Sequence, residues 1–171
     1  MSETQCITCL KPKAKLKCAL CDGDLCKSCP QFVEEDRFSF DPEVADFLTK
    51  GIYCTTCFDE KIAPEIETYE GIMERARHVY IFDKSQGKET RLFKRTEDVI
   101  KVENCADRNE TILRLAFLAA KAHLNAVIDM DLSTKKIKDG SYTILKWTGV
   151  GVPTLVDGDY LDRKVYADDI T

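Results

Sequence analysis

The hydrophobic and polar positions of this chain follow two different patterns, and the change between them falls near residue 62. Before it, apolar residues are scattered among turn residues and cysteines without a sustained period. After it, apolar residues recur at helical or alternating spacing, as they do in elements that pack on a core. The pattern predicts an α+β protein whose two parts are joined by residues 63–68, where Pro64 is expected to interrupt any helix.

One short helix is predicted in the first part, over residues 41–51. Asp41 is placed as its N-cap, Pro42 fits the first helical position, and Gly51 can adopt the left-handed backbone that ends a helix. The side chains expected on its inward face are Val44, Phe47 and Leu48.

The second part begins with two predicted strands, residues 78–82 and 92–93, which would form a hairpin around residues 85–87. Its strongest element is a predicted helix over residues 107–124, with His123 as a packing residue and Asn125 as its stop. Alanines at positions 116, 119, 120 and 122 would allow this helix to lie close against a sheet.

A second hairpin is predicted after the helix. Apolar residues at positions 128, 130 and 132 alternate with Asp129 and Asp131, which indicates a strand with one buried and one solvated face. The pair Asp139 and Gly140 then predicts a two-residue turn that leads into residues 141–150.

Cysteine is the most informative residue type in the chain. Eight of the nine cysteines lie within residues 6–57 as four Cys-x-x-Cys pairs, and the ninth, Cys105, is expected to be an ordinary reduced thiol. A two-residue gap lets both sulfurs of a pair approach one ion at about 2.3 Å, and two pairs complete a tetrahedron. The predicted ligands are Cys6, Cys9, Cys18, Cys21, Cys26, Cys29, Cys54 and Cys57.

Eight thiolates make two closed sites without a position for a reactive water, which favours two structural zinc ions. A redox pair and an iron–sulfur cluster are the alternatives on ligand type, but four pairs in so short a stretch favour zinc. Because a segment of about 57 residues has a small core, the metal is expected to supply most of its folding free energy.

Two pairings of these cysteines are open. A sequential pairing would place the first two Cys-x-x-Cys pairs on one ion and the last two on the other. A crossed pairing would join the first pair to the third and the second pair to the fourth. Only four residues separate Cys21 from Cys26, so these neighbouring pairs can turn away from each other, which favours the crossed arrangement.

The run from Cys18 to Cys29, with its x2–x4–x2 spacing, resembles the core of FYVE zinc fingers. The resemblance covers residues 6–57, and it implies a crossed pair of zinc sites in a domain spanning residues 1–62. Lipid-binding FYVE domains carry a basic motif with two histidines before the third cysteine, whereas residues 15–19 of this chain read Lys-Leu-Lys-Cys-Ala. The difference favours a protein partner over a phosphoinositide.

Residues 116–153 resemble the YbjQ-like family, in which an alanine-rich helix runs into a strand and then into a hairpin that ends in a Thr-Gly-x-Gly-Val type of motif. The resemblance places a second domain at residues 72–156, followed by an acidic tail at 157–171. It implies a dodecin-like subunit fold that tends to form rings, often pentamers, so a homo-oligomer is expected. The family is sometimes labelled heavy-metal-binding, but no cysteine or histidine cluster occurs in this part of the sequence.

Composition and charge narrow the function classes. No run of 18 apolar residues and no basic-then-apolar start is present, so neither a transmembrane span nor a secretory signal is expected, and a cytoplasmic location is predicted. The net charge of −5 would fall to about −9 when eight thiolates bind two zinc ions. A protein this acidic is expected to repel nucleic acids.

The predicted function is that of a non-enzymatic adaptor, in which the finger binds a protein partner and the second domain multiplies its valency by self-association. The sequence contains no recognisable nucleophile–base pair, phosphate loop or open metal site. Two other functions stay open. Lysines at positions 11, 13, 15 and 17 would allow the finger to bind acidic membrane lipid, and a crossed double-zinc module also suggests a ubiquitin-ligase-like activity.

Overall fold

The computed structural model describes residues 4–12, 14–49 and 51–159. The predictions that concern Lys13, and those that concern residues 160–171 of the acidic tail, lie outside the described residues. Within the described residues, both helices and strands are well represented, which confirms the predicted α+β class. The chain divides into two compact units, Met1–Gly71 and Ile72–Thr171.

The first unit contains two antiparallel pairs of very short strands, β1 with β2 and β3 with β4. Their bounds are Leu16–Lys17 for β1, Asp24–Leu25 for β2, Gln31–Phe32 for β3 and Ile52–Tyr53 for β4. Few large side chains are fully buried in this unit, chiefly Leu25, Tyr53 and Ile62. A core this small leaves most of the stabilisation to other sources, as expected for a metal-dependent unit.

The helix predicted over residues 41–51 is wrong, since only a single 3-10 turn forms there, at Asp46–Leu48. The side chain of Asp41 accepts a hydrogen bond from the backbone N–H of Glu43 at 2.9 Å, which makes a local turn instead of a helix cap. Ala45 is extended and separates this turn from the 3-10 turn. The left-handed backbone expected at Gly51 is present, with φ of +80°.

The predicted connector at residues 63–68 is also wrong, because α2 occupies Ala63–Ala76. A helical path leads into it from α1, Thr55–Cys57, through a π-helical turn at Phe58–Ile62. In that turn the backbone N–H of Ala63 donates to the carbonyl of Phe58, five residues back. The wider turn directly precedes Pro64, where a regular α-helix would lose a hydrogen bond and meet a steric clash.

The second unit contains a four-stranded sheet in the order β5-β7-β8-β6. β5 runs parallel to β7, while β8 is antiparallel to both β7 and β6. The bounds are Tyr80–Asp83 for β5, Ile100–Cys105 for β6, Ala126–Asp139 for β7 and Tyr142–Thr154 for β8.

The hairpin predicted around residues 85–87 is wrong. A capping box between Asp83 and Gln86 starts a 3-10 turn directly after β5, and residues 92–93 form no strand. Phe93 instead packs edge-on against Phe82, with ring centroids 5.4 Å apart. β5 therefore finds its strand partner in the distant β7.

The helix predicted at residues 107–124 is confirmed as α3, Arg108–Lys121, with Asp107 as its N-cap. It packs closely on the sheet at Gly149, where an added Cβ would lie 2.7 Å from Cγ2 of Thr111 and 3.0 Å from Cδ1 of Leu115. The glycine therefore permits the close approach of helix and sheet, and the fully buried Leu115 fills the space between them.

The end of α3 differs from the prediction. The helix stops before His123, which is exposed and has a left-handed φ of 59° instead of packing in the interior. The backbone N–H groups of His123 and Leu124 donate to the carbonyls of Ala120 and Ala119, at 3.0 and 2.9 Å, which is a Schellman motif. Asn125 lies beyond it.

The hairpin of β7 and β8 is confirmed, but its two loop residues are Gly140 and Ser141, because Asp139 still pairs with Tyr142 in the ladder. The predicted turn at Asp139 and Gly140 is therefore displaced by one residue, and Gly140 has φ of +58°. The predicted alternation is interrupted by a bulge between Ile128 and Asp131, where Asp129 has a left-handed φ of 52°. Asp129 is not simply solvated. Its carboxylate accepts hydrogen bonds from Nε and Nη2 of Arg95 at 2.7 and 3.1 Å.

Candidate metal centre

The eight cysteines predicted as ligands gather into two clusters of four in the first unit. In each cluster the four sulfurs all lie within 4.8 Å of one another. One cluster contains Cys6, Cys9, Cys26 and Cys29, and the other contains Cys18, Cys21, Cys54 and Cys57. The clusters follow the crossed order and exclude the sequential one.

The sulfur separations match a single tetrahedral ion. Four sulfurs at about 2.3 Å from a zinc ion lie about 3.8 Å from one another. The measured separations are 3.7 Å between Cys9 and Cys26 and 3.9 Å between Cys21 and Cys54. Each cluster therefore has the size that a mononuclear tetrathiolate site requires, whereas an iron–sulfur cluster distributes its cysteine ligands over more than one iron.

The first Cys-x-x-Cys pair lies in a tight backbone turn, which we call a knuckle. The N–H of Leu10 donates to the carbonyl of Cys6 at 2.8 Å, and the N–H of Cys6 donates to the carbonyl of Lys11 at 3.0 Å. Residues 18–23 repeat both hydrogen bonds at equivalent positions, at 3.0 and 2.9 Å. Each of the two sites is thus built on one copy of the same knuckle.

Both knuckles reverse the chain through a left-handed residue directly after their second cysteine. Leu10 has φ of 60° and Asp22 has φ of 55°. Gly23 completes the second knuckle, because an added Cβ would lie 2.4 Å from Cδ1 of Ile7 and 3.3 Å from the sulfur of Cys21. Sequence reasoning did not identify these three positions, although a glycine two residues after a Cys-x-x-Cys pair was a visible signal.

We expect the Leu10→Gly variant to stabilise the first unit. The left-handed conformation is unfavourable by roughly 1 kcal/mol or more for leucine, whereas glycine adopts it readily. Leu10 is 71% exposed, so its side chain contributes little packing. The thermal midpoint of the metal-loaded unit should rise by a few degrees, measured by circular dichroism.

Thr8→Gly is the matched control for that variant, because Thr8 lies in the same knuckle and is not among the residues with positive φ. It should lower the midpoint through the added freedom of the unfolded chain. A fall of similar size in both variants would contradict the proposed strain at Leu10.

The second pair of each cluster follows a short strand. Cys26 comes directly after β2, and Cys54 comes directly after β4. Cys54 is also the N-cap of α1, and its sulfur accepts a hydrogen bond from the backbone N–H of Cys57 at 3.4 Å. A candidate metal ligand therefore caps the start of the helical segment that runs on into α2.

The protonation pattern of the first cluster shows why it favours a cation. The pKa of Cys6 is lowered to about 6, chiefly because the backbone N–H of Cys26 donates to its sulfur, with further donors at Cys9 and Thr8. The pKa of Cys29 is raised to about 12, because its thiol shares its proton with the sulfurs of Cys26 and Cys9. Four close sulfurs cannot all be negative without a positive ion among them.

The second cluster repeats this division. Burial acts to raise the pKa of Cys18, but hydrogen bonds from backbone N–H groups, led by that of Cys54 at 3.3 Å, lower it to about 6. The pKa of Cys57 is raised, first by burial and then by the neighbouring sulfurs of Cys54 and Cys21. A divalent metal would replace the shared protons in both clusters.

The ninth cysteine takes no part in these clusters. Cys105 is buried in β6 of the second unit, and its sulfur is 3.8 Å from the carbonyl oxygen of Glu103. Among the basic residues predicted to contact lipid, Lys11, Lys15 and Lys17 are exposed. Within the described ranges, no helix has both the length and the apolar character that crossing a membrane requires.

The crossed clusters define the first unit as a cross-brace module with two sites suited to metal binding. No protein-family model, no curated protein and no solved structure matches the chain. The FYVE-like and YbjQ-like assignments therefore stay predictions from cysteine spacing and sequence motifs.

Proposed function

We propose that this protein is a zinc-binding, non-enzymatic adaptor whose first unit binds a protein partner and whose second unit self-associates. The observation that carries the proposal is the closure of both cysteine clusters. Four sulfurs fill a tetrahedral coordination sphere and leave no position for a substrate or an activated water. Such a metal stabilises a folded surface and does not supply chemistry.

Zinc is the ion that fits the donor set best. Soft thiolates in tetrahedral geometry select zinc or iron among the common metals. A structural zinc ion contributes on the order of 10–16 kcal/mol to the folding of a small finger. When bound, the ions would serve to hold β1 to β4 and the start of α1 in place.

A candidate partner surface lies on the first unit beside β3. Phe32 is 64% exposed, which is unusual for a large aromatic side chain. It lines a cavity of about 200 Å³ together with Val33, Glu34, Arg37 and Ile66, and Arg37 forms an ion pair with Glu70. An exposed aromatic anchor flanked by charges is typical of protein interfaces.

The Phe32→Ala variant tests this surface. Affinity capture with the zinc-loaded protein should enrich one or more proteins that the variant retains at least tenfold less well. Glu35→Ala is the control, because Glu35 is an exposed neighbour that does not line the cavity. Equal capture by all three proteins, with two zinc ions in each, would contradict a partner site at Phe32.

Self-association of the second unit is supported by apolar side chains on its surface. Val99 and Leu155 are 64% and 68% exposed, and burial of such residues between copies is favourable. Native mass spectrometry of the intact protein would report the number of copies together with the number of metal ions. A monomer at micromolar concentration would remove this part of the proposal.

Acidic membrane lipid is the second candidate ligand of the first unit. The favouring observation is that the 71% exposed Leu10 is followed by Lys11, with Lys15 and Lys17 also exposed. Flotation of liposomes with and without phosphoinositides distinguishes lipid binding from binding to a protein partner. Binding that disappears when these three lysines are changed to glutamine would favour the membrane. Release of ubiquitin from a ubiquitin-loaded conjugating enzyme on addition of this protein would instead favour the ligase-like activity.

A further inference from the structure

The β7–β8 hairpin extends well beyond the strands that flank it. β5 pairs with β7 only as far as Met130, and β6 pairs with β8 only from Trp147 to Gly151. The two long strands continue to pair with each other as far as Asp139 and Tyr142. Residues 132–146 therefore extend beyond β5, and from Lys135 to Lys146 they form a ribbon of only two strands. We call residues 132–146 the distal ribbon.

The ribbon leaves the edge of β7 open. Residues 132–138 have a strand partner on one side only, and within the described residues no other backbone or side chain is hydrogen-bonded to them. An edge of this length presents a row of backbone N–H and C=O groups that can pair with another extended chain. Seven residues match an ordinary strand of about five or six.

Lysines dominate this open edge. Lys135, Lys136 and Lys138 are exposed, and Lys146 lies directly opposite Lys135 on β8. Like charges in directly opposed positions are destabilising. Among the side chains that the structure describes, none is in an ion pair with these four lysines. A positive patch therefore lies on a protein of net charge −5.

An apolar pair lies next to the opposed lysines. Ile137 faces Ile144 across the ribbon, on the same side of the sheet as Lys135 and Lys146. Ile144 is 39% exposed and Tyr142, at the end of the same face, is 79% exposed. Lys136 and Lys138 project from the opposite face. The edge thus presents basic groups on both faces and one apolar position between them.

These features indicate which kind of molecule can pair with the open edge of β7. A second copy of β7 would bring lysines against lysines, and lysines on an edge strand oppose such self-pairing. A nucleic acid has no peptide backbone to complete the ladder. An extended peptide with carboxylates satisfies both the backbone and the charges.

We propose that residues 132–138 of β7 bind an extended acidic segment of a partner protein by strand addition. Carboxylates of that segment lie against Lys135, Lys136 and Lys138, and one apolar side chain lies against Ile137 and Ile144. This site is separate from the cavity beside Phe32 and does not depend on the adaptor function proposed for the cysteine-rich unit.

The experiment uses the intact zinc-loaded protein and labelled twelve-residue peptides, with binding measured by fluorescence anisotropy. The probe peptide carries the order acidic, acidic, apolar, acidic at its centre. We expect Lys136→Glu to weaken its binding at least tenfold, while Lys136→Arg retains it. Lys88→Glu is the control, because Lys88 is exposed in the same unit and lies outside the ribbon.

Two further peptides separate strand addition from simple charge attraction. A peptide with alternate backbone nitrogens methylated keeps its charge and loses the donors that a ladder needs, so it should bind at least tenfold more weakly. A scrambled peptide of the same composition should also bind more weakly. Equal binding of all three peptides would overturn the proposal.

Amide chemical shifts identify the surface and its natural occupant. Peptide addition should shift the amides of residues 132–138 more than those of 142–145.

Concentration-dependent shifts of the same amides without peptide would assign the edge to a second copy of this chain. Contacts from residues 168–170, whose sequence is Asp-Asp-Ile, would assign it to the chain's own tail. Tighter binding of RNA or anionic vesicles than of the peptide would assign it to those ligands. Assignment of the edge to a second copy, to the chain's own tail, or to RNA or vesicles would overturn the proposal.

Discussion

We expect the Cys21→Ser variant to bind at most one zinc ion and to lose the ordered structure of the first unit, while the second unit stays folded. A serine hydroxyl does not replace a thiolate on zinc, and the loss of a structural ion removes on the order of 10 kcal/mol from a small finger. Few large side chains are fully buried in this unit to offset that loss. Because the clusters are crossed, loss of one site also disturbs the segment that holds Cys26 and Cys29.

Native mass spectrometry measures the zinc count, and a proton–nitrogen correlation spectrum reports the folding of each unit separately. Cys105→Ala is the control, since Cys105 is the one cysteine outside both clusters among the described residues. That variant should keep two zinc ions. Retention of two ions and of dispersed amide signals in Cys21→Ser would show that the ligand set is wrong, and iron in place of zinc would correct the metal.

The second large effect is expected from Leu115→Ala in α3. Leu115 is fully buried between the helix and the sheet, and its Cδ1 atom lies where a side chain at Gly149 would have to go. Truncation of a buried leucine costs about 2–5 kcal/mol, because the lost contacts are joined by a cavity. The free energy of unfolding of the second unit should fall by this amount, and the zinc count should not change.

Urea denaturation followed by the fluorescence of Trp147 measures this free energy, because Trp147 is the only tryptophan and lies in β8. Leu92→Ala is the matched control. The same atoms are removed there from a side chain that is 80% exposed, so the change should stay within about 0.5 kcal/mol. A similar loss in both variants would contradict the packing of α3 on the sheet.

The two variants together test whether the units fold independently. Cys21→Ser should abolish order in the first unit alone, and Leu115→Ala should destabilise the second unit alone. Loss of both units in either variant would mean that the division near residue 71 does not describe separate folding units.

Sequence periodicity was sufficient where an element is stabilised mainly by local features. The apolar spacing after Asp107 predicted α3, and Gly140 marked the hairpin turn of β7 and β8. The same reasoning failed at Pro64, because it assumed a regular α-helix. The π-helical turn before the proline avoids the clash that Pro64 would make in a regular α-helix, and nothing in the residue pattern predicts such a turn.

β6 was missed because it is a short strand at the edge of the sheet. Ile100 and Val102 alternate with polar residues, but the alternation is too brief to distinguish a strand from a loop. Its identity as a strand comes from pairing with β8, which lies more than forty residues further along the chain. The parallel pairing of β5 with β7 likewise needed a partner that a local pattern does not specify.

The sequence by itself determined the grouping of eight cysteines into metal-binding pairs, because the chemistry of a thiolate and a two-residue gap are local properties. It also favoured the crossed order, since four residues between neighbouring pairs restrict how they turn. Only the tertiary structure decided the matching left-handed turns at Leu10 and Asp22, the ion pair of Arg95 with Asp129, and the open basic edge of β7. These features depend on backbone strain or on partners distant in sequence, whose interaction energies exist only once the fold brings them together.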